Sequence, residues 1–443
     1  MCGILGLYDL SGFKSQKFKQ SLKLLNHRGP DNQSVKKLSN QLALGHTRLS
    51  IIDLEAQSNQ PFSIDNDYFL VFNGEIFNYK ELRIILEKKG HTFKTKSDTE
   101  VLLISYIHWG EECVKKFNGM WAFVIYDRKE NKLFCSRDRF GIKPFYYFFD
   151  QGKFMFSSMI QPILQYYDKL KKPNFKSINE FLYRGYISQF EETWFEKIKK
   201  ILPGHNLIYD FDKVKIKPHY LPSFKKNDIS LEAAKKELKK LLTDAVKLRL
   251  RSDVEVASTL TTGLDSSSIV SIIDKKVKKR IKTYTVYSEN KSYSSNDLKD
   301  FSNEVNIDES HTLSLFSDFK IEPTTIKLNF DNYLDDLKKC ICFIESGHAS
   351  PAIVGISHVY KKAQLNGHKV LLEGQGSDEI FGGYLTEIIS EVISKNLLNV
   401  NYLYRFLARM ISVYSWKQML LRMLNALKKH RFFSEIKNFI FKY

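Results

Sequence analysis

The chain has 443 residues, 43% hydrophobic and 27% charged, and carries a formal net charge of +18. That length allows two domains with a core each, and the composition excludes a disordered or fibrous chain. No apolar run approaches the ~20 residues that cross a bilayer. The apolar opening MCGILGLYDL lacks the basic start of a secretory signal, and five scattered cysteines do not form a disulfide framework, so a cytoplasmic location is expected. Cys340 and Cys342 read as buried helix residues. The positive balance raises a polyanion as partner. However, the lysines spread along polar helix faces such as 233–250, and neither a base-stacking motif nor a compact basic patch is present. The stretch 402–443, with Arg405, Arg409, Arg422, Lys428, Lys429 and Arg431 among aromatics and leucines, reads as a core-facing helix rather than a membrane-surface one. Neither nucleic acid nor membrane is expected as a partner, and a homodimer is a possible assembly.

In chain order, the runs YFLVF, WAFVIYD, KLFCS, PFYYFF and KFMFSS alternate from Tyr68 to Phe156. Turn signals at 129–131 and 150–152 separate them into antiparallel hairpins. Aromatics on both strand faces predict a sheet covered on each side. After about residue 205 the periodicity changes. A helix starting near Ser230 places Leu231, Leu238, Leu241, Leu242, Ala245 and Val246 on one stripe. A strand over 254–260, the turn STLTTGLDSSSI and a helix beginning near Asp265 follow. Then come a strand over 282–287, helices over 331–345 and 351–366, the second stopped by Gly367, and a strand over 369–372 entering GQGSDEIFGGY. Alternating strand and helix predict a mostly parallel sheet, whose ligands sit at the carboxyl ends of strands. Both polar loops fall at such ends.

Cys2 becomes the first residue if Met1 is removed, and its α-amine is then a general base beside a thiol nucleophile. HRGPD at 27–31, HTRLSIID at 46–53, NGEIFNY at 73–79 and SDTE at 97–100 supply what an amino-acid amide requires. Arg48 can clamp an α-carboxylate in two places, and Asp98 can pair with an α-ammonium. The Asn73 side chain and the Gly74 backbone N–H can form an oxyanion hole. The blander alternatives are a turn at Asn73-Gly74, a surface cation at Arg48 and a helix cap at Asp98.

With RGPD, RLSIID, NGEIFN, SDTE, GMWAFVIYD and RDRFGIKPFYY in this order after MCGI, residues 1–204 resemble a class II glutamine amidotransferase domain. The family is that of the glutamine-hydrolysing asparagine synthetases. The resemblance implies an α+β N-terminal-nucleophile four-layer sandwich over 1–205, followed over 206–443 by an α/β parallel-sheet ATP-pyrophosphatase domain. Glutamine would lie on Arg48, Leu49, Ser50, Ile51, Ile52, Asn73, Gly74, Glu75 and Asp98. Met159 stands where relatives usually carry Glu.

In that family the quoted turn reads S-G-G-L-D-S-S and binds the phosphates of ATP. The resemblance places ATP on Leu260, Thr261, Thr262, Gly263, Asp265, Ser266, Ser267, Val286, Glu373 and Gly374, and Mg²⁺ on Asp265 and Asp378. Gln375 occupies a position where several members have a catalytic Glu. It can donate and accept hydrogen bonds but is not a base. Thr262 replaces Gly. A positive φ there would cost a β-branched residue roughly 1–2 kcal/mol, so weakened nucleotide binding is expected. The chain ends soon after Tyr384, where the family continues at length, and an incomplete acceptor pocket is expected. The implied activity is ATP-dependent amidation, by glutamine-derived ammonia, of an adenylated carboxylate, aspartate by default. Alternatives are a uronic acid of a surface polysaccharide as acceptor, a relative retaining only glutaminase chemistry, and a non-enzymatic polyanion-binding protein.

Overall fold

The β-strands of the first half follow the two-residue period of their side chains, and that period builds the layers. In β5 (Tyr68–Ile76), Phe69 and Val71 face one side while Leu70 and Phe72 face the other, and all are buried. The computed structural model describes residues 1–185, 190–223, 228–287, 314, 316–329, 331–348, 350, 352–381 and 383. The tail at 402–443 lies outside them. The described residues fall into two compact units, one from Met1–Val256 and Phe330–Val370, the other from Ala257–Asn329 and from Leu371 onward.

The first unit contains two six-stranded antiparallel sheets. One is ordered β10 (Ile198–Lys200), β8 (Tyr146–Asp150), β9 (Lys153–Ser157), β1 (Gly3–Asp9), β3 (Leu42–Arg48), β2 (Asn32–Lys37). The other runs β12 (Val214–Pro218), β11 (His205–Tyr209), β7 (Lys132–Arg137), β6 (Gly119–Asp127), β5, β4 (Phe62–Ile64). Ile4, Leu44 and Phe156 of the first meet Phe69, Val71 and Val124 of the second in one core. On the outer face of the first sheet, Leu5, Leu7 and Met155 pack with Phe18 and Leu22 of α1 (Ser15–Lys23) and Ile163 and Leu164 of α4 (Gln161–Tyr166). On the outer face of the second, Leu70, Phe72 and Phe123 pack with Leu82 and Leu86 of α2 (Tyr79–Glu87) and with Val101 to Ile104 of α3 (Asp98–Trp109). The layers are helix, sheet, sheet, helix, the four-layer sandwich that the resemblance implied.

The first unit also holds α5 (Phe175–Arg184), α6 (Leu231–Arg249), α8 (Tyr333–Ile344) and α9 (Ala352–Leu365). Gly367 stops α9 as expected, at φ +84. Two expectations need correction. The stripe on α6 is buried only toward its end: Leu231, Leu238 and Leu241 are exposed, Leu242 and Ala245 half-buried, and Val246 buried, as is Leu248 beside it. Its last turn, where Arg249 lies over the Phe77 ring, is the part that packs. Cys340 is buried but Cys342 is exposed, because residues two apart point to nearly opposite sides of a helix.

In the second unit the sheet order is β15 (Ile321–Lys327), β14 (Ile281–Tyr287), β13 (Val256–Thr259), β16 (Val370–Leu372). β14 runs parallel to both β13 and β15, as the alternation predicted. Helix α7 (Leu264–Ile272) follows β13, and α10 (Ser377–Phe381) follows β16. No helix among the described residues is long and apolar enough to cross a membrane.

Candidate active site

The antiparallel pairing of β1 with β3 sets Gly3 opposite Thr47, so Cys2 meets the residues that leave β3. Its thiol accepts the Leu49 N–H at 3.4 Å, and Arg28 Nε donates to its carbonyl at 3.0 Å. Burial pushes the thiol above its ordinary range, against the pull of the N-terminal charge and the Leu49 N–H. A thiol held protonated needs a base to become a nucleophile. The α-amine beside it, that of Met1, is lowered by burial to about 5. That amine is therefore neutral at pH 7.

Asn73 and Gly74 do not form a turn. They sit inside β5, paired with Ala122 and Trp121 of β6. A Cβ on Gly74 would strike the Met120 carbonyl and come within 2.8 Å of the Trp121 backbone, so the close strand contact requires glycine. The Asn73 side chain is fully buried, and both of its amide atoms lack a partner. An orphaned buried amide costs about 1–3 kcal/mol, a cost that a ligand could relieve.

Arg48, at the end of β3, is buried rather than a surface cation. Nη1 donates to the Glu55 carbonyl and to Asn59 Oδ1, each at 2.8 Å, and Nη2 donates to the Asp53 carbonyl. Among the described residues, these bonds account for three of its five N–H groups. Asp98 is the first residue of α3, and Ser97 is the cap, its hydroxyl accepting the Thr99 N–H at 2.9 Å. The Asp98 carboxylate accepts the Ile76 N–H at 2.9 Å. Burial, with the Glu75 charge adding to it, raises its pKa to about 7. Below that pH Asp98 is neutral and has no charge to offer an ammonium. Glutamine KM is therefore expected to rise as pH falls through about 7, approaching tenfold per unit. Asp98→Asn should raise KM at pH 8 and flatten that dependence; an unchanged profile would remove Asp98 from ammonium binding.

Sequence reasoning quoted HRGPD and RDRFGIKP but assigned no role to Arg28, Asp31, Asp138 or Lys143. Asp138 Oδ1 accepts the N–H groups of Phe140 and Ile142, both at 3.0 Å, and Oδ2 accepts that of Lys143 at 2.9 Å. Arg137 holds the same loop by donating to the carbonyls of Lys143 and Gly141, each at 2.8 Å. This loop delivers a buried Lys143 whose ammonium is pushed down by burial and acts on Glu75 and Cys2. The local signal was present: the charged run Arg137-Asp138-Arg139 just ahead of a Gly-Ile-Lys-Pro turn requires an internal hydrogen-bond scheme.

In the second unit the loops after β13 and β16 meet. A Cβ on Gly374 would stand 2.5 Å from the Asp265 Cβ and 3.1 Å from the Ser266 N. The Ser266 hydroxyl accepts the Thr261 N–H at 3.0 Å, and Thr261 Oγ1 accepts the Gly263 N–H at 3.1 Å. Leu260 is buried, and its N–H donates to the Tyr284 carbonyl at 2.9 Å; Val286 is half-buried, and Gln375 is exposed. Thr262 is not among the residues with positive φ. The strain expected for it does not arise; the bulk of its methyl group remains. Burial, with the charges of Asp378 and Glu379, raises the Asp265 pKa. Among the described residues no cluster of three or more His, Cys, Asp or Glu is set to hold a metal alone. Two mutually repelling carboxylates suit a Mg²⁺ that keeps waters and phosphate oxygens as its other ligands.

Residues 1–220 match the model of the glutamine amidotransferase domain, and 237–439 match that of asparagine synthase. The putative glutamine-hydrolysing asparagine synthetase 2 of Methanocaldococcus jannaschii is 33% identical over 422 residues, covering 88% of this chain and 76% of that protein. The chain belongs to the glutamine-hydrolysing asparagine synthetase family. A second member of the family, asparagine synthetase 1 of Bacillus subtilis, is 32% identical over 87% of this chain, which spans 59% of that relative's length. Among solved structures, the glutamine phosphoribosylpyrophosphate amidotransferase of B. subtilis aligns with a TM-score of 0.38 at 18% identity, covering 64% of this chain and 65% of its own.

Proposed function

We propose that this asparagine synthetase family member hydrolyses glutamine at Cys2 and uses the ammonia to amidate an ATP-activated carboxylate, aspartate first among the candidates. With Met1 removed, the Cys2 amine takes the thiol proton and the sulfur attacks the glutamine carboxamide. Asn73 and the Gly74 N–H hold the oxyanion, Arg48 the α-carboxylate and Asp98 the α-ammonium. The proton passes to the leaving nitrogen as ammonia departs, and water cleaves the thioester to release glutamate. Residues 1–205 carry this step and 206–443 the synthetase step.

In that second step the acceptor carboxylate attacks the α-phosphorus of ATP, pyrophosphate leaves, and ammonia then displaces AMP from the adenylate. The hydroxyls of Thr261, Ser266 and Ser267 and the start of α7 receive the phosphates, with Leu260, Val286, Glu373 and Gly374 around the nucleoside. Mg²⁺ held by Asp265 and Asp378 would offset the negative charge of the phosphates. Gln375 contributes hydrogen bonds only, so proton transfer falls to other groups. The observation that carries the proposal is the unpartnered, buried amide of Asn73 in the unit that holds the thiol of Cys2 with Arg48, Glu75 and Lys143 acting around it. Asn73→Ala should lower glutaminase kcat about 10²–10³-fold.

A glutaminase without synthetase activity is the second reading. The N–H groups of Thr261 and Gly263, in the loop that would receive the phosphates, are already satisfied by hydroxyls of that loop. AMP formation from ATP and glutamine, measured with aspartate, a uronic acid and other carboxylates, separates these readings. AMP with aspartate supports the synthetase, AMP with a uronic acid alone changes the acceptor, and no AMP with any acceptor leaves the glutaminase.

A further inference from the structure

The segment Ser50–Asp53, which follows Arg48 in the glutamine site, is held by two residues from beyond position 220. Asp253 makes two of the contacts: its N–H donates to the Ile51 carbonyl at 2.9 Å, and its Oδ2 accepts the Asp53 N–H at 2.7 Å. Lys369 makes the third, its Nζ donating to Asp31 Oδ2 at 2.7 Å. The same Asp31 oxygen accepts the Ser50 N–H, also at 2.7 Å.

These contacts bear on the substrate fork directly. Asp53 stands at φ +55, in the left-handed region that Asp enters more readily than most residues. Its carbonyl, turned by that conformation, accepts Nη2 of Arg48. Asp253 thus fixes Asp53, and Asp53 fixes the guanidinium. Burial raises the pKa of Asp31, but the Lys369 ammonium and the Ser50 N–H outweigh it and hold the carboxyl below its usual range, so the ion pair persists at neutral pH. Arg251 anchors the approach to Asp253, donating to the Phe77 carbonyl at 2.7 Å and pairing with Glu81 at 2.5 Å.

We infer that Asp253 and Lys369 are positioning residues for glutamine, fixing through Asp53, Asp31 and Ser50 the segment that aims Arg48. The inference rests on the glutamine site proposed above. It adds that glutamine affinity depends on residues outside the amidotransferase match. Asp253 lies three residues before β13 and Lys369 immediately before β16, the two strands that lead into the proposed nucleotide loops.

The test is glutaminase kinetics on the full chain. Asp253→Ala and Lys369→Met should each raise glutamine KM about fivefold or more, the effect of losing one charge-assisted hydrogen bond, with kcat within about twofold. Asp253→Asn keeps an oxygen to accept the Asp53 N–H, and Lys369→Arg keeps the charge; both should return KM to within about twofold of the parent. Calorimetric glutamine binding in the Cys2→Ala background should follow the same order, which a general loss of folding would not reproduce. KM unchanged in both Asp253→Ala and Lys369→Met, or kcat falling without rescue by the conservative variants, would overturn the inference while leaving the glutaminase intact. A parent chain that neither binds nor hydrolyses glutamine would overturn the underlying site itself.

Discussion

Cys2→Ala is expected to abolish glutamate release from glutamine, by about a thousandfold or more, because the covalent step then has no nucleophile. The substitution removes one sulfur from a half-buried position outside β1, so the sheet pairing of Gly3 with Thr47 should persist and the protein should remain folded. Synthetase activity supplied with free ammonia should survive, since the nucleotide loops belong to the other compact unit. Glutaminase activity left intact in this variant would contradict the assignment of the thiol. Loss of ammonia-dependent activity together with glutaminase would show that the two halves do not separate as described.

Gly374→Ala should act in the opposite sense, removing ATP-dependent chemistry and sparing glutaminase. The new Cβ would lie 2.5 Å from the Asp265 Cβ and 3.1 Å from the Ser266 N, and backbone at that distance cannot yield as a flexible side chain can. The loops after β13 and β16 must then part. Asp265 would lose the arrangement in which it senses the charge of Asp378. AMP formation should fall by about a hundredfold or more, the scale on which a displacement of about 1 Å in a catalytic site acts. Full ATP turnover in Gly374→Ala would show that the two loops do not form one nucleotide site.

The parts of this architecture that announced themselves were those with a strict local period. The alternation of Phe69 to Phe72 made β5 recognisable, and strand–helix alternation foretold the parallel pairing of β13 with β14, though not the further strand β15. β3 was hidden because Leu42 to Arg48 is buried without interruption, His46, Thr47 and Arg48 included, so no alternation marks it. The stripe on α6 misled for the converse reason: leucines at helical spacing state where a partner could pack, yet Leu231, Leu238 and Leu241 are exposed. Thr262 shows the limit of reading conformation from a lost glycine. Its φ is not positive, and the neighbouring Gly263 has φ −63 and ψ 146, values open to other residues. At the thiol, residue types pointed to Arg48, Asn73 and Asp98, whereas Asp253 emerged only from a contact 200 residues away in the chain that no local spacing encodes.

The most direct measurement is transfer of the glutamine amide nitrogen. Purified protein would be given amide-¹⁵N glutamine, Mg-ATP and aspartate, and the products read by mass spectrometry alongside AMP. ¹⁵N is expected in the side-chain amide of asparagine, with one AMP formed per labelled product; Cys2→Ala should give no labelled product, and AMP with unlabelled asparagine only when unlabelled ammonia is added. Label recovered only as free ammonia, with ATP left unconsumed over the same panel of carboxylates, would contradict it.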